Sequence, residues 1–242
     1  MVNTPDDAHR WYRHPTRHPT RHPTQRPGPL AGLRVLDLTR QIAGPYCTKL
    51  LADYGADVVK IEQPGLGDPS RHTTPFFHDD PNPEGSLHFL YLNTNKRSIT
   101  LDLKSEQGRQ AFLDLARDAD VVVENFQPGT IDELGIGWDT LYALNPRLIL
   151  TSISNFGQTG PYRDLPAGEL VEYAMSGMMA VSGREDLSPL KHGLSQAQYG
   201  GGAYAMARAA AIFISSVILR AAASNTLRKS PGKQRTLFSW FG

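Results

Sequence analysis

Residues 33–62 read LRVLDLTRQIAGPYCTKLLADYGADVVKIE, and the succession of patterns in this stretch decides the fold class. A short apolar run, Val35–Leu38, gives way to a segment in which Cys47, Leu50, Leu51 and Tyr54 recur at helical spacing, and a second apolar run, Val58–Ile61, follows. Runs this short, bounded by turn residues and lacking polar alternation, read as strands covered on both faces, the situation of a parallel sheet. Gly55 stands just past the last residue of the helical stripe, where a left-handed conformation ends a helix.

The same pattern recurs downstream. Ile99–Leu101, Val121–Val123 and Leu148–Ile153 are further strand-like runs, and Ser105 stands as an N-cap before a stripe of Phe112, Leu115 and Ala116. Recurring β-α-β units with right-handed crossovers predict an α/β fold, an open, doubly wound, Rossmann-like parallel sheet. Helices are also expected over Glu169–Ser176 and Ala203–Arg220, and the Pro- and Gly-dense residues 63–97 read as a long surface loop.

Composition bounds the rest. The chain has 242 residues, 40% of them hydrophobic, and a net charge of +1. Residues 1–29 hold five Arg against Asp6 and Asp7, so the remainder is slightly acidic and is not expected to bind nucleic acid. Residues 13–24 repeat Arg-His-Pro-Thr three times, and a proline at every fourth position with no apolar side chain between predicts a disordered basic tail. His14, His18 and His22 have no fixed backbone to give them geometry, and no metal site is expected. Cys47 is the single cysteine, which excludes an intrachain disulfide and fits a cytoplasmic protein. The longest apolar stretch, around Ala209–Leu219, is too short to span a bilayer.

In open α/β sheets ligands lie beyond the carboxyl ends of the strands, so the residues after Leu38, Ile61, Val123 and Ile153 carry the functional information. Gly44-Pro45 fits either a helix N-terminus that receives a phosphate or a plain tight turn into a helix. No Gly-x-Gly-x-x-Gly opens that helix, which disfavours an NAD-dependent oxidoreductase.

The residues at the strand ends, taken together, resemble family III CoA-transferases of the carnitine dehydratase/bile-acid-inducible (CaiB/BaiF) type. The resemblance is carried by VLDLT with AGP at 43–45, by KIEQPGLGDPSR at 60–71, by NTNKRS at 93–98 and by VENFQPG at 123–129. It continues through NPRLI at 145–149, FGQTGPY at 156–162 and AMSGMM at 174–179, and so covers roughly residues 30–220.

This resemblance implies that residues 30–222 correspond to part of the family's large domain and that residues 223–242 form a divergent end. It also implies that the second, small domain of longer relatives is lacking, as in a truncated chain. The substrates it implies are an acyl-CoA thioester and a carboxylic acid. By the same resemblance, Gln41 and Ile42 match the loop at the thiol end of coenzyme A, and Gln63 stands near the adenosine. Arg71, Leu101, Asn125 and Phe126 match other lining positions, with Arg71, Lys96 and Arg97 as phosphate partners. The local alternatives are a turn cap for Asn125, core packing for Phe126 and a solvated charge pair for Lys96 and Arg97.

The family mechanism needs an ionised aspartate that attacks the thioester, and at the matching position this chain has Gln198, just before a Gly200-Gly201-Gly202 turn that is expected to open a helix. A carboxamide cannot form the anhydride. Glu169, at an acidic position common in the family, is the other candidate for the carboxylate chemistry, and the plain alternative is an acid stabilised at a helix N-terminus by its dipole. A racemase reading fails twice, since Gly168 and Gln198 occupy the places of its His and Asp. Two readings stay open: a CoA-transferase, active or formerly active, and a non-catalytic CoA or acyl-CoA binder that works as a homodimer or with a complementing chain.

Overall fold

The computed structural model describes residues 28–225 and 235–238, with side chains as far as Ser216. The Arg-His-Pro-Thr repeat and most of the divergent C-terminal end lie outside the described residues.

The chain runs β1 (Arg34–Asp37), α1 (Ala43–Asp53), β2 (Asp57–Glu62), α2 (Leu87–Leu92), β3 (Arg97–Thr100), α3 (Glu106–Ala116), β4 (Val121–Glu124), α4 (Thr130–Glu133), α5 (Trp138–Leu144), β5 (Ile149–Ile153), α6 (Glu169–Met175), α7 (Gln196–Asn225) and β6 (Arg235–Phe238). The strands form one sheet in the order β3-β2-β1-β4-β5-β6, and every pairing is parallel. This is the doubly wound order, in which the direction of winding reverses between β1 and β4.

Alternate residues of β1, β2, β4 and β5 feed two separate cores. Leu36, Val59, Val122 and Leu150 pack with Phe112, Leu115 and Leu141 from the α3 and α5 side. Val35, Val58, Val121 and Ile149 pack with Cys47 and Leu51 of α1 and with Ala205 and Ala209 of α7. The continuous apolar runs in the sequence are the signature of this double burial.

Local signals behave as the residues dictate. Ser105 accepts from Gly108 N–H at the start of α3, and Gly55, at φ 103°, follows the end of α1. Asn145 holds the carbonyls of Ala116, Arg117 and Ala119 beyond the end of α3.

Three expectations are corrected. Residues 63–97 are not a featureless loop: they hold two single 3₁₀ turns (Pro69–His72 and Phe77–Asp79) and α2, because Asp68 and Ser86 each cap a turn with their side chains. The three glycines 200–202 do not form the turn that opens the last helix, which begins at Gln196 and carries them inside it. A Cβ on Gly202 would lie 2.4 Å from the Ala43 carbonyl oxygen, so that glycine lets α7 press against the start of α1. Finally, the divergent end at 223–242 holds a regular element, since the backbone of Arg235–Phe238 pairs with β5 as an edge strand.

Candidate functional site

The crevice lies at the switch point, where the loops after β1 and β4 meet. Asn125 clamps the backbone of the neighbouring loop at two points: its Oδ1 accepts from Arg40 N–H at 2.8 Å and its Nδ2 donates to the Arg40 carbonyl at 2.8 Å. The Arg40 guanidinium stands 5.3 Å from the Phe126 ring centre, a cation–π contact that reinforces the clamp. Sequence reasoning assigned Asn125 to the ligand side and passed over Arg40; the pairing joins residues 85 positions apart and is visible only in the fold.

Gln41 is held in a left-handed conformation (φ 67°), and its N–H donates to Asp68 Oδ1 at 3.1 Å. Non-glycine residues occupy this region only when their surroundings impose it. Asp68 is itself fixed. It is fully buried, its Oδ1 accepts from Ser70 N–H and hydroxyl at 2.9 and 2.8 Å, and its Oδ2 lies 2.8 Å from Lys60 Nζ. That last contact is ionic, off the direction of a hydrogen bond. Lys60 also donates to the Thr39 carbonyl at 2.9 Å, so one buried cation ties the loop after β1 to the loop after β2.

A second buried carboxylate lies beside it. Asp37 accepts from Thr48 Oγ1 at 2.6 Å, from the Thr39 amide at 2.9 Å and from Lys96 Nζ at 3.0 Å. Burial pushes this carboxyl up, but the charges of Lys96 and Lys60 and the two threonine hydroxyls outweigh it and hold it at about 2.

The cations expected to meet phosphate are therefore committed elsewhere. Lys96 has its side chain 1% exposed against Asp37 and donates to the Pro45 carbonyl. Arg71 grips Glu62 with two nitrogens at 2.8 and 2.9 Å, reaches Glu84 with a third, and lies 3.7 Å over the Phe89 ring. Arg97 turns back to Asp57, the first residue of β2, away from the carboxyl ends of the strands. A carboxylate within reach of each explains why: a free basic side chain pairs inside the fold before it meets a ligand. Leu101 packs onto the core on the α3 side, Phe126 does so with part of its ring, and Gln63 is half-buried just beyond β2.

Gly44 also finds a local explanation. A Cβ there would lie 2.2 Å from Thr39 Cβ, so the glycine is required by the tight turn from β1 into α1. Ile42, half-buried, is the N-cap of α1 and makes no side-chain hydrogen bond to it.

Asn125, Phe126 and Gln198 line one cavity of about 140 Å³, together with Ala43, Arg163 and Glu172. Thus the loops after β1 and β4 and the first turn of α7 converge. Glu169 is the hinge of that convergence. Its Oε1 accepts from Ala197 N–H at 2.8 Å and its Oε2 from Gln198 N–H at 3.1 Å, so its carboxylate caps α7. Glu172, which sequence reasoning did not single out, is the buried acid of the cavity: it is 4% exposed, and burial followed by the charge of Glu169 pushes its carboxyl up to about 7. Nothing in the sequence ties Glu172 to Gln198. Among the described residues no group of three or more His, Cys, Asp or Glu is arranged to hold a metal ion, and no helix is long and apolar enough to cross a membrane.

Comparison with known proteins places this arrangement. The family model described as CoA-transferase family III matches residues 30–216. A formyl-CoA:oxalate CoA-transferase of Streptomyces avermitilis is 47% identical over 178 residues, covering 74% of this chain and 42% of that protein. A succinyl-CoA–D-citramalate CoA-transferase of Chloroflexus aurantiacus is 44% identical over 167 residues, covering 69% of this chain and 40% of that protein. The crystal structure of a CaiB/BaiF family protein from Brucella suis superposes with a TM-score of 0.78 at 36% identity, over 89% of this chain and 54% of the other. The chain thus spans about two fifths of the length of these curated relatives. A match across most of the chain, joined to the doubly wound sheet and its switch-point crevice, shows that the chain belongs to CoA-transferase family III.

Proposed function

We propose that this chain forms the acyl-CoA-binding half of a CoA-transferase, the part that holds the thioester while CoA passes between an acyl-CoA and a carboxylic acid. The observation that carries this reading is the cavity at the switch point, where Asn125, Phe126 and Gln198 meet beneath a loop clamped by the Asn125 side chain. The first turn of α1, which has no side-chain cap, faces the same loops and suits an anionic group of coenzyme A. With Arg71, Lys96 and Arg97 paired internally, phosphate recognition falls to backbone amides and to Arg40.

Gln198 stands where the family aspartate is expected, and its carboxamide has no anionic oxygen to attack a thioester. This favours a second reading, in which the chain binds acyl-CoA without catalysing transfer. Both readings need the apolar face formed by α6 and residues 177–194 to be covered, since Val181 and Leu194 are 79% and 81% exposed. A second copy or a complementing chain is the cover that this proposal expects.

Calorimetric titration with coenzyme A tests the shared claim, and micromolar or tighter binding is expected. A thioester-exchange assay of the wild type and Gln198→Asp then separates the readings. Exchange by the variant alone supports an acyl-CoA site that has lost its nucleophile, exchange by the wild type supports an active transferase, and absence of coenzyme A binding refutes both.

A further inference from the structure

Helix α6 carries two acids three residues apart, on one face, and the fold treats them oppositely. Glu169 spends both oxygens on the first amides of α7. Glu172 is buried, and no hydrogen bond from the described residues reaches its Oε2. It lines the cavity that also holds Asn125, Phe126 and Gln198. A buried polar atom without a partner costs about 1–3 kcal/mol, so its retention at a cavity wall points to a partner that arrives there.

The charged and titratable neighbours are few. Glu169 lies on the same helix and adds negative charge. Arg163, from the loop before α6, lines the cavity, with its guanidinium 3.3 Å from Asp164. His192 packs its ring on Tyr173, the residue after Glu172, at 5.3 Å. The contributions of α1, β5, the loop after β4 and α7 to the cavity wall are uncharged. Glu172 thus sits next to one anion that is already committed, in a place where burial and that charge raise its carboxyl to about 7 and keep a neutral form populated.

We propose that Glu172 is the proton-carrying residue of this cleft and donates its carboxyl O–H to the carbonyl oxygen of a bound acyl-CoA thioester. This rests on the acyl-CoA reading above and deepens it by naming a residue that distinguishes the acyl thioester from the free thiol. No bond is made or broken in the step: the proton stays on Glu172, and the thioester carbonyl accepts from it. Ionisation of Glu172 removes the donor and sets a negative charge against the carbonyl, so discrimination fades as the group loses its proton.

The test is the ratio of coenzyme A to acetyl-CoA dissociation constants, measured by calorimetry at pH 6.0 and pH 8.5, so that ionisations of the nucleotide cancel. In the wild type the preference for acetyl-CoA is expected to fall about tenfold across that interval. Glu172→Gln, whose amide donates at every pH, is expected to keep the preference flat, whereas Glu172→Leu removes it at both values. Unchanged melting of Glu172→Gln at pH 6.0 shows that the fold is intact. A flat wild-type ratio, or a Glu172→Gln profile that follows the wild type, overturns the assignment while leaving the acyl-CoA reading standing. Failure of both ligands to bind overturns that reading and the assignment with it.

Discussion

Asn125 shows how a side chain serves a site by holding backbone. Its two hydrogen bonds to Arg40 fix the loop that leads into α1. Asn125→Ala is expected to weaken coenzyme A binding about tenfold, read by calorimetry, while changing the melting temperature little, because the lost bonds lie at the surface end of the loop. Glu169 acts on α7 in a similar way. Replacing it by Gln leaves one acceptor for two amides and removes the charge at the helix start, and a loss of about 1 kcal/mol in denaturant melts is expected. The family resemblance brought Asn125, Phe126, Glu169 and Gln198 into view as candidates; Asn125, Phe126 and Gln198 line one cavity, and Glu169 caps the first turn of α7 beside it. They did not show that Lys96 and Arg71 are spent on Asp37 and Glu62, because an ion pair joins positions far apart in the chain.

Among the elements, the contact between α1 and α7 governs the site. Both bury against the same sheet face, and Gly202 lets the start of α1 lie close enough for Gln198 to reach the cavity. Gly202→Ala forces the helices apart at the Ala43 carbonyl, and a destabilisation of about 1–3 kcal/mol is expected, with coenzyme A affinity reduced in parallel. Three consecutive glycines read as a turn when only local conformational freedom is considered. Inside α7 the close approach of another helix decides instead, and that pressure leaves no mark on the local pattern.

For the molecule as a whole, two buried carboxylates set the response to acid. Asp37 and Glu62 are both held at about 2, below their ordinary values of 3.8 and 4.5. For these two groups the unfolded chain takes up protons first, so their contribution to stability is expected to be full above about pH 5 and to be lost as the pH drops toward 2, while the raised carboxyl of Glu172 acts in the opposite sense between about pH 4.5 and 7. Asp37→Asn should flatten part of that slope in melts between pH 2 and 7. It should also cost about 3–5 kcal/mol at neutral pH by leaving Lys96 buried without its counter-charge. The exposed apolar side chains of Val181 and Leu194 predict concentration-dependent self-association in sedimentation, abolished by Val181→Asp with Leu194→Asp. The parallel doubly wound sheet is legible in the residues alone, since apolar runs at β-α-β spacing have few other ways to bury both faces, and the motifs point to the family. Which acids and cations are paired emerges in the fold. The fold places Glu172 at the cavity wall with an oxygen that no described residue bonds and Glu169 on the end of a helix, because pairing and burial depend on what the fold brings near and not on what lies beside a residue in the chain.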